Sequence, residues 1–494
     1  MLRPLLTVLL SVAAAAPAPA QSRPNVVVIL ADDLGYGDVA ALNPGSRIPT
    51  PNLDLLAVEG ITFTDAHAPA AVCTPTRYGL LTGRYCWRSA LKSGVLNGYG
   101  APLIEPSRAT LGSLFREAGY RTGAVGKWHL GLGFARADAD AEASIDWERP
   151  IEGGPTALGF DTFFGIPASL DFPPYVYVRD DRVTESPGRR QASMKFPAFV
   201  RSGERAPDFE PVDALDRLLR AALEFVQDAA RRDAPFFLYF ALTAPHKPVL
   251  PHPRFTETTS LGPYGDFVVQ TDATVGTLLA ALQRAGVANE TVVVFTSDNG
   301  SFMHARNEGP DHVDDPKVQA YTKARHRANH GFRGTKADIW EAGHRVPFFV
   351  RWPGVVPAGS VDDTPVCHVD LMATFAELLG AQAPASAEDS FSLLGRWRDQ
   401  PDPPTRPPVI HHSGNGMFAI RDGHWKLVLG NGSGGREAPR GKPFERPYPL
   451  FDLQTDPGET RDVAGEHGAV VQRLTATFED LRAAGSGPMT GRGR

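Results

Sequence analysis

Asn25-Val26-Val27-Val28-Ile29-Leu30-Ala31-Asp32-Asp33 is the stretch from which the fold is read. The run from Val26 to Leu30 is apolar without interruption and rich in β-branched side chains, the mark of a strand covered on both faces. Helix and strand signals then alternate. Thr50-Pro51 opens a helix that Gly60 stops, and Thr110 caps a helix over 111–118 that Gly119 ends. Strands are predicted at 122–125, 235–242, 291–296 and 347–351, and helices at 213–231, 266–285 and 370–379. This alternation predicts an α/β fold with a mostly parallel central sheet. Residues 385–408 are rich in Pro, Asp and Ser and read as a linker or long loop. Beyond them, short strands at 409–412, 417–421, 425–429 and 448–453, then a helix over 469–483, predict a small antiparallel sheet with one helix. The expected domains are therefore 21–384 and 409–494, joined by 385–408.

The chain of 494 residues has a formal charge of −6, which argues against a nucleic-acid partner but not against a small anionic substrate held by local cations. Residues 1–20 carry Arg3, an apolar run from Leu5 to Ala16 and Ala18-Pro19-Ala20, the pattern of a cleaved secretory signal peptide. That run is short for a bilayer span, and no later segment reads as transmembrane. A secreted or periplasmic protein is expected. Cys73, Cys86 and Cys367 are the only cysteines, too few for a disulfide scaffold. Cys86 and Cys367 read as two buried thiols, although a pair stays open.

In open α/β sheets ligands bind beyond the carboxyl ends of strands. Four polar clusters fall there: Asp32-Asp33, Gly126-Lys127-Trp128-His129, Pro245-His246-Lys247-Pro248 and Asp298-Asn299-Gly300. Asp32, Asp33, Asp298 and Asn299 together form a hard, all-oxygen set suited to Ca²⁺ or Mg²⁺ and poorly suited to zinc. Each is by itself an ordinary polar turn.

Cys73-Thr74-Pro75-Thr76-Arg77, continued by Tyr78-Gly79-Leu80-Leu81-Thr82-Gly83-Arg84, places a thiol, a rigid turn and an arginine in one loop. A cysteine just before a helix start sits near N–H groups that favour negative charge, and Arg77 follows about one turn on. A lone cysteine of this kind is more often a small buried hydrophobe. The whole string, however, closely resembles the signature of the sulfatase family, with Thr76 in place of the commoner serine. Lys127-Trp128-His129, Ala244-Pro245-His246, the stretch 331–336 ending in Lys336, Trp340-Glu341-Ala342-Gly343 and Phe451-Asp452-Leu453 also resemble family segments, in family order.

The resemblance implies an alkaline-phosphatase-like α/β/α sandwich with a small C-terminal α+β domain. It implies a formylglycine-dependent, arylsulfatase-like hydrolase in which Cys73 is oxidised by a formylglycine-generating enzyme. A divalent cation, usually calcium, is then held by Asp32, Asp33, Asp298, Asn299 and the modified Cys73. Arg77, Lys127 and Lys336 become cations around the sulfate, His129 the partner of the aldehyde hydrate, and His246 or Lys336 the group facing the leaving oxygen. Ser169, in a segment that looks familial, is a looser candidate for a sulfate contact. The substrate class is an aryl or carbohydrate sulfate. A phosphodiester or phosphonate monoester hydrolase of the same superfamily is the nearest alternative, followed by a carbohydrate-binding protein with a dead site. His304, His312, His326 and His330, in the polar stretch 302–330, read as solvated loop residues or sugar contacts.

Overall fold

The computed structural model describes residues 23–136 and 145–484, so the expected signal peptide lies outside the described residues. A ten-stranded sheet forms the centre. Asn25–Asp32 lies in its middle, parallel to Phe236–Pro245 on one side and to Thr291–Ser297 on the other. Arg121–Lys127 and Thr162–Ile166 extend the parallel part, and Phe348–Arg351 pairs antiparallel on the far flank. The apolar run is buried on both faces, as its composition requires: Val26 through Ala31 have no exposed surface. Helices cover the sheet in two packed groups, one of Pro51–Glu59, Ala214–Ala229 and Gly262–Arg284, the other of Cys73–Thr82, Leu111–Glu117 and Leu371–Leu378. The parallel register aligns Asp32 with Pro245 and Ala31 with Ser297. Four strands thus deliver their chemistry to one edge of the sheet.

Capping works as the sequence reads at Thr110, whose hydroxyl accepts from the Ser113 N–H at 3.1 Å. Thr50 instead turns its hydroxyl to the Ala40 N–H at 2.9 Å and to Asp54. Gly126, with φ +116°, is required by close approach: a Cβ there would lie 1.7 Å from the Ala241 carbonyl oxygen. All three cysteines are buried and free.

Val409–His412, Phe418–Asp422, Trp425–Leu429 and Leu450–Asp452 form an antiparallel sheet, with the helix Gly468–Ala483 against it. Lys426 from this sheet reaches Glu341 at 3.0 Å and Glu459 at 2.7 Å, all three without exposed side-chain surface. Beside it runs a buried chain of polar contacts. Lys426 Nζ lies 3.1 Å from His344 Nε2, His344 Nδ1 lies 3.0 Å from His67 Nδ1, and His67 Nε2 lies 2.7 Å from Asp65. The His411 ring stacks on His344.

Two readings sharpen. Of the alternatives for 385–408, the structure describes a long loop whose short helix Leu394–Trp397 sets Leu394 and Trp397 into the main core. Within 302–330, His312 and His326 are buried rather than solvated: His312 Nε2 accepts from the Tyr264 N–H at 3.2 Å, and His326 Nε2 meets Asp38 at 2.8 Å. Only His304 and His330 of that group are exposed. Polar composition concealed both features, because a few apolar or paired side chains suffice to anchor a mostly hydrophilic segment.

Trp397→Ala should lower stability by about 3 kcal/mol or more, read as a fall in the urea midpoint. A change within error would mean that 385–408 contributes nothing to the core. Acid should also destabilise. Burial holds His344 and His411 well below the usual 6.5, His368 down to about 3 and His412 down to about 4. The unfolded chain therefore binds more protons below about 6.5, and stability present above that value is lost as pH falls. Glu459, pushed up to about 7 by burial, acts in the opposite sense but is outnumbered. The thermal midpoint should drop steadily from pH 7 to pH 5.

Candidate active site

The helix begins at Cys73 itself and runs to Thr82, with Gly83 as its left-handed stop at φ +68°. Every residue of it is buried. The Thr74 hydroxyl donates to the His129 carbonyl and the Thr76 hydroxyl to the Ala70 carbonyl, each at 3.0 Å. The first turn is thereby tied to two of the loops that form the site.

Arg77 lies one turn below Cys73 and has no exposed surface. Its Nε and Nη2 donate to Asp298 Oδ2 at 3.1 and 2.8 Å, and its Nη1 donates to the Lys127 carbonyl at 2.9 Å. The guanidinium, expected among the cations around the sulfate, is thus paired with Asp298. Lys127, also fully buried, donates to both oxygens of Asp32 at 2.7 and 2.8 Å. Lys336 Nζ reaches Asp33 Oδ1 at 2.5 Å and Cys73 Sγ at 3.3 Å. Cys73 Sγ is 3.8 Å from Asp32. Burial opposes ionisation of Asp298, yet Arg77 and Lys127 hold its carboxyl down to about 2. Burial, reinforced by Asp298 and Asp33, pushes Asp32 up to about 7 despite Lys127. Burial and Asp298 push the Cys73 thiol up to about 12, so the sulfur is protonated and a poor nucleophile.

Asp33 and His129 have positive φ, 64° and 58°, at the strand ends where the chain turns into the site. Asn299 donates to Asp33 Oδ1 at 2.6 Å. That leaves Asp33 Oδ2 and Asn299 Oδ1 buried without hydrogen-bond partners among the described residues. Two orphaned hard oxygens beside Asp32 and Asp298 fit a divalent cation, which would satisfy them together. Ligand atoms of Asp32, Asp33, Cys73 and His246 lie within 4.8 Å of one another.

The two histidines are neutral. Burial first, then nearby lysine charges, hold His129 and His246 well below the usual range. His129 Nε2 donates to the Leu96 carbonyl at 2.7 Å, leaving Nδ1 as an acceptor 3.4 Å from Ser169 Oγ. His246 Nδ1 donates to the Lys247 carbonyl at 2.5 Å, leaving Nε2 as an acceptor 3.6 Å from Asp33 Oδ2. The fold thus gathers Cys73, Arg77, Lys127, His129, His246, Lys336 and the four oxygen ligands at one place. Asp171 was not foreseen: its Oδ1 is buried, without a hydrogen-bond partner among the described residues, and 3.9 Å from His246 Nδ1. Its segment carried no signal beyond a familial loop.

Lysines and acids balance around a helix start, at the carboxyl edge of a parallel sheet, with hard oxygens left open. The arrangement can bind a cation and an anionic ester together. The sulfatase family profile matches residues 24–381, and the chain belongs to the sulfatase family. It is 31% identical to an N-acetylgalactosamine-6-O-sulfatase of Bacteroides thetaiotaomicron, over 93% of each chain. It is 32% identical to human arylsulfatase A, over 93% of this chain and 87% of the relative. A solved Bacteroides thetaiotaomicron 6S-sulfatase, from work on the metabolism of multiple glycosaminoglycans, superposes with a TM-score of 0.80 at 30% identity and covers 94% of this chain and all of its own. A second solved structure, a complex with a neocarrahexaose, superposes at 0.69 and 25% identity, over 94% of this chain and 93% of its own. The protein is a sulfuric ester hydrolase of a family that is generally metal-dependent.

Asp298→Ala strands the Arg77 charge at zero exposure and should cost about 3 kcal/mol or more, measured by urea unfolding of metal-free protein. A loss under about 1 kcal/mol would mean that Arg77 re-pairs with Asp32, now 3.7 Å away.

Proposed function

We propose that the protein hydrolyses a sulfate monoester of a carbohydrate, using formylglycine made from Cys73 and a divalent cation, calcium rather than magnesium. The observation that carries this reading is the Cys73 thiol: fully buried, held protonated, and set between Asp32 and Lys336 where hard oxygens converge. As a thiol it can neither attack nor ligate calcium well. Oxidised to a hydrated aldehyde, the same position would supply one oxygen to attack sulfur and a second to expel sulfate. Asp32, Asp33, Asp298 and Asn299 would hold the cation, which screens the ester and lowers the charge barrier to attack.

The chain's own groups divide the remaining work. Lys127 and Lys336 offer fixed positive charge to the sulfonyl oxygens, and a donor of this kind is typically worth about 3 kcal/mol in the transition state. Arg77 holds Asp298 in place. His129 Nδ1, with Nε2 fixed on the Leu96 carbonyl, is the atom able to take a proton from the residue-73 position. Of the two candidates facing the leaving oxygen, Lys336 carries a proton and His246 does not, because Asp33 favours the ammonium whereas burial disfavours the imidazolium. Lys336 is therefore the one of the two with a proton to share with the leaving oxygen, and His246 orients the ester. The names of the relatives support a sulfated amino sugar or related glycan as substrate. The leader-like residues 1–20 support a secreted or periplasmic location, reached after maturation by a formylglycine-generating enzyme.

Protein co-expressed with such an enzyme should cleave an aryl sulfate in preference to matched aryl phosphate and phosphonate esters, and chelation should slow it. Preference for a phosphorus ester would move the chemistry to the phosphodiester or phosphonate hydrolases of the superfamily. Cys73→Ala should reduce turnover to background while leaving the thermal midpoint nearly unchanged. Residual turnover near the parent rate would eliminate the formylglycine assignment.

A further inference from the structure

The chain carries a formal charge of −6, yet one groove on its surface is positive. It consists of two cavities, of about 600 and 320 Å³, that meet at Lys323, Arg327, His330 and Gly331, residues that line both. The larger cavity borders the segment that bears Lys336, since Gly334 lines it. Arg47 lines the smaller one, with its Nη2 donating to the Ala324 carbonyl at 3.5 Å. The junction is open, because a Cβ on Gly331 would meet nothing within 4 Å. Two backbone ties hold the walls. The Lys323 N–H donates to the Arg306 carbonyl at 2.8 Å, where His304–Arg306 pairs with Ala320–Thr322. The Gly37 N–H donates to the Ala328 carbonyl at 2.7 Å, which fixes the turn carrying Arg327 and His330 to the loop that follows Asp33.

The charges on this groove are not balanced. The acidic residues that line it are Asp338, Glu437 and Glu459, and all belong to the larger cavity. Each is already committed: Asp338 to the N–H groups of Thr335 and Glu437, Glu437 to Arg333 at 2.6 Å, and Glu459 to Lys426 at 2.7 Å. Arg325 is taken by Asp311 and Asp314, at 3.1 and 2.7 Å. Arg47, Lys323 and Arg327 are exposed and make no salt bridge among the described residues. Arg327 Nε donates to the Lys323 carbonyl at 3.4 Å, which keeps the two cations on one turn. Between the cations the lining is aromatic. The His330 and Phe332 rings lie 5.8 Å apart, and Tyr36 packs against both, at 6.1 and 5.2 Å. Ring faces suit the apolar faces of sugars, and unpaired cations along an open groove attract a chain of anionic groups.

Resting on the carbohydrate sulfatase reading, we propose that this groove is an exosite for a sulfated polysaccharide. Arg47, Lys323 and Arg327 hold anionic groups of sugars beyond the one that loses its sulfate. The enzyme then works on the polymer in preference to its isolated units.

The test uses the full-length protein with two sulfated chains, chondroitin sulfate and carrageenan, the disaccharide units cut from each, and an aryl sulfate. Turnover is measured on mature enzyme and chain binding on the Cys73→Ala protein, so the groove is judged even where no ester is cleaved. For the chain that is bound, KM per sulfate should lie about tenfold below that of its disaccharide, the worth of one charge-assisted contact. Lys323→Glu combined with Arg327→Glu should erase this difference and weaken chain binding by about tenfold or more, with kcat on the aryl sulfate unchanged. Arg47→Glu, on a separate loop, should act in the same direction, whereas Lys323→Arg should not. Binding by the parent should fall more steeply with added salt than binding by the double variant. The exosite is overturned if neither chain binds, if chain and disaccharide share one KM, or if the double variant binds the chain as the parent does. It is equally overturned if polyphosphate binds the parent as tightly as the sulfated chain, or if the variants lose turnover on all substrates alike. Chain binding without turnover of any sulfate ester, aryl included, would instead sink the sulfatase reading and leave the groove standing.

Discussion

Everything at the site depends on a compensated set of charges almost wholly removed from water. Asp32, Asp33 and Asp298 face Lys127, Lys336 and Arg77, and their side chains are essentially unexposed. None of these groups is tolerable alone, since an isolated buried ion costs several kcal/mol. Together they balance, and the balance is what allows a parallel sheet to end in so many ionised side chains. A divalent cation added to this set tips it positive, which suits an anionic ester. Binding of metal and substrate is thus prepared by the electrostatics of the empty fold.

The same logic divides roles that chemistry alone leaves equal. Lys336 and His246 both border Asp33, but Asp33 favours the ammonium whereas burial and the nearby lysines disfavour the imidazolium of His246. Arg77 and Lys127 both carry fixed charge, but Arg77 spends its donors on Asp298 and a carbonyl. It thereby holds that carboxylate in place.

A second network fastens the small C-terminal sheet to the main body. Lys426 sits between Glu341 and Glu459, and the His344–His67–Asp65 chain continues from it. Glu341 belongs to the segment that follows Lys336, so the attachment of the small sheet and the position of a site lysine are mechanically linked. The loop carrying Arg436 is fastened to the same segment through Asp338.

By itself the sequence determined the sheet and which polar residues gather at its carboxyl edge. Uninterrupted β-branched runs demand two-sided burial, and the polar residues just after them have only the sheet's edge to occupy. The string Cys73 to Arg84 carried the family, and with it Asp32, Asp33, Lys127, His129, His246, Asp298, Asn299 and Lys336. Tertiary structure decided what depends on neighbours far apart in the chain. It showed that Arg77 faces inward, that His129 and His246 are neutral, that Trp397 anchors a stretch of linker-like composition, and that His312 and His326 are buried. It alone brought Asp171 against His246. A residue's type limits what it can do, but its protonation and its partners are set by burial and by charges that only the folded chain brings within a few ångströms.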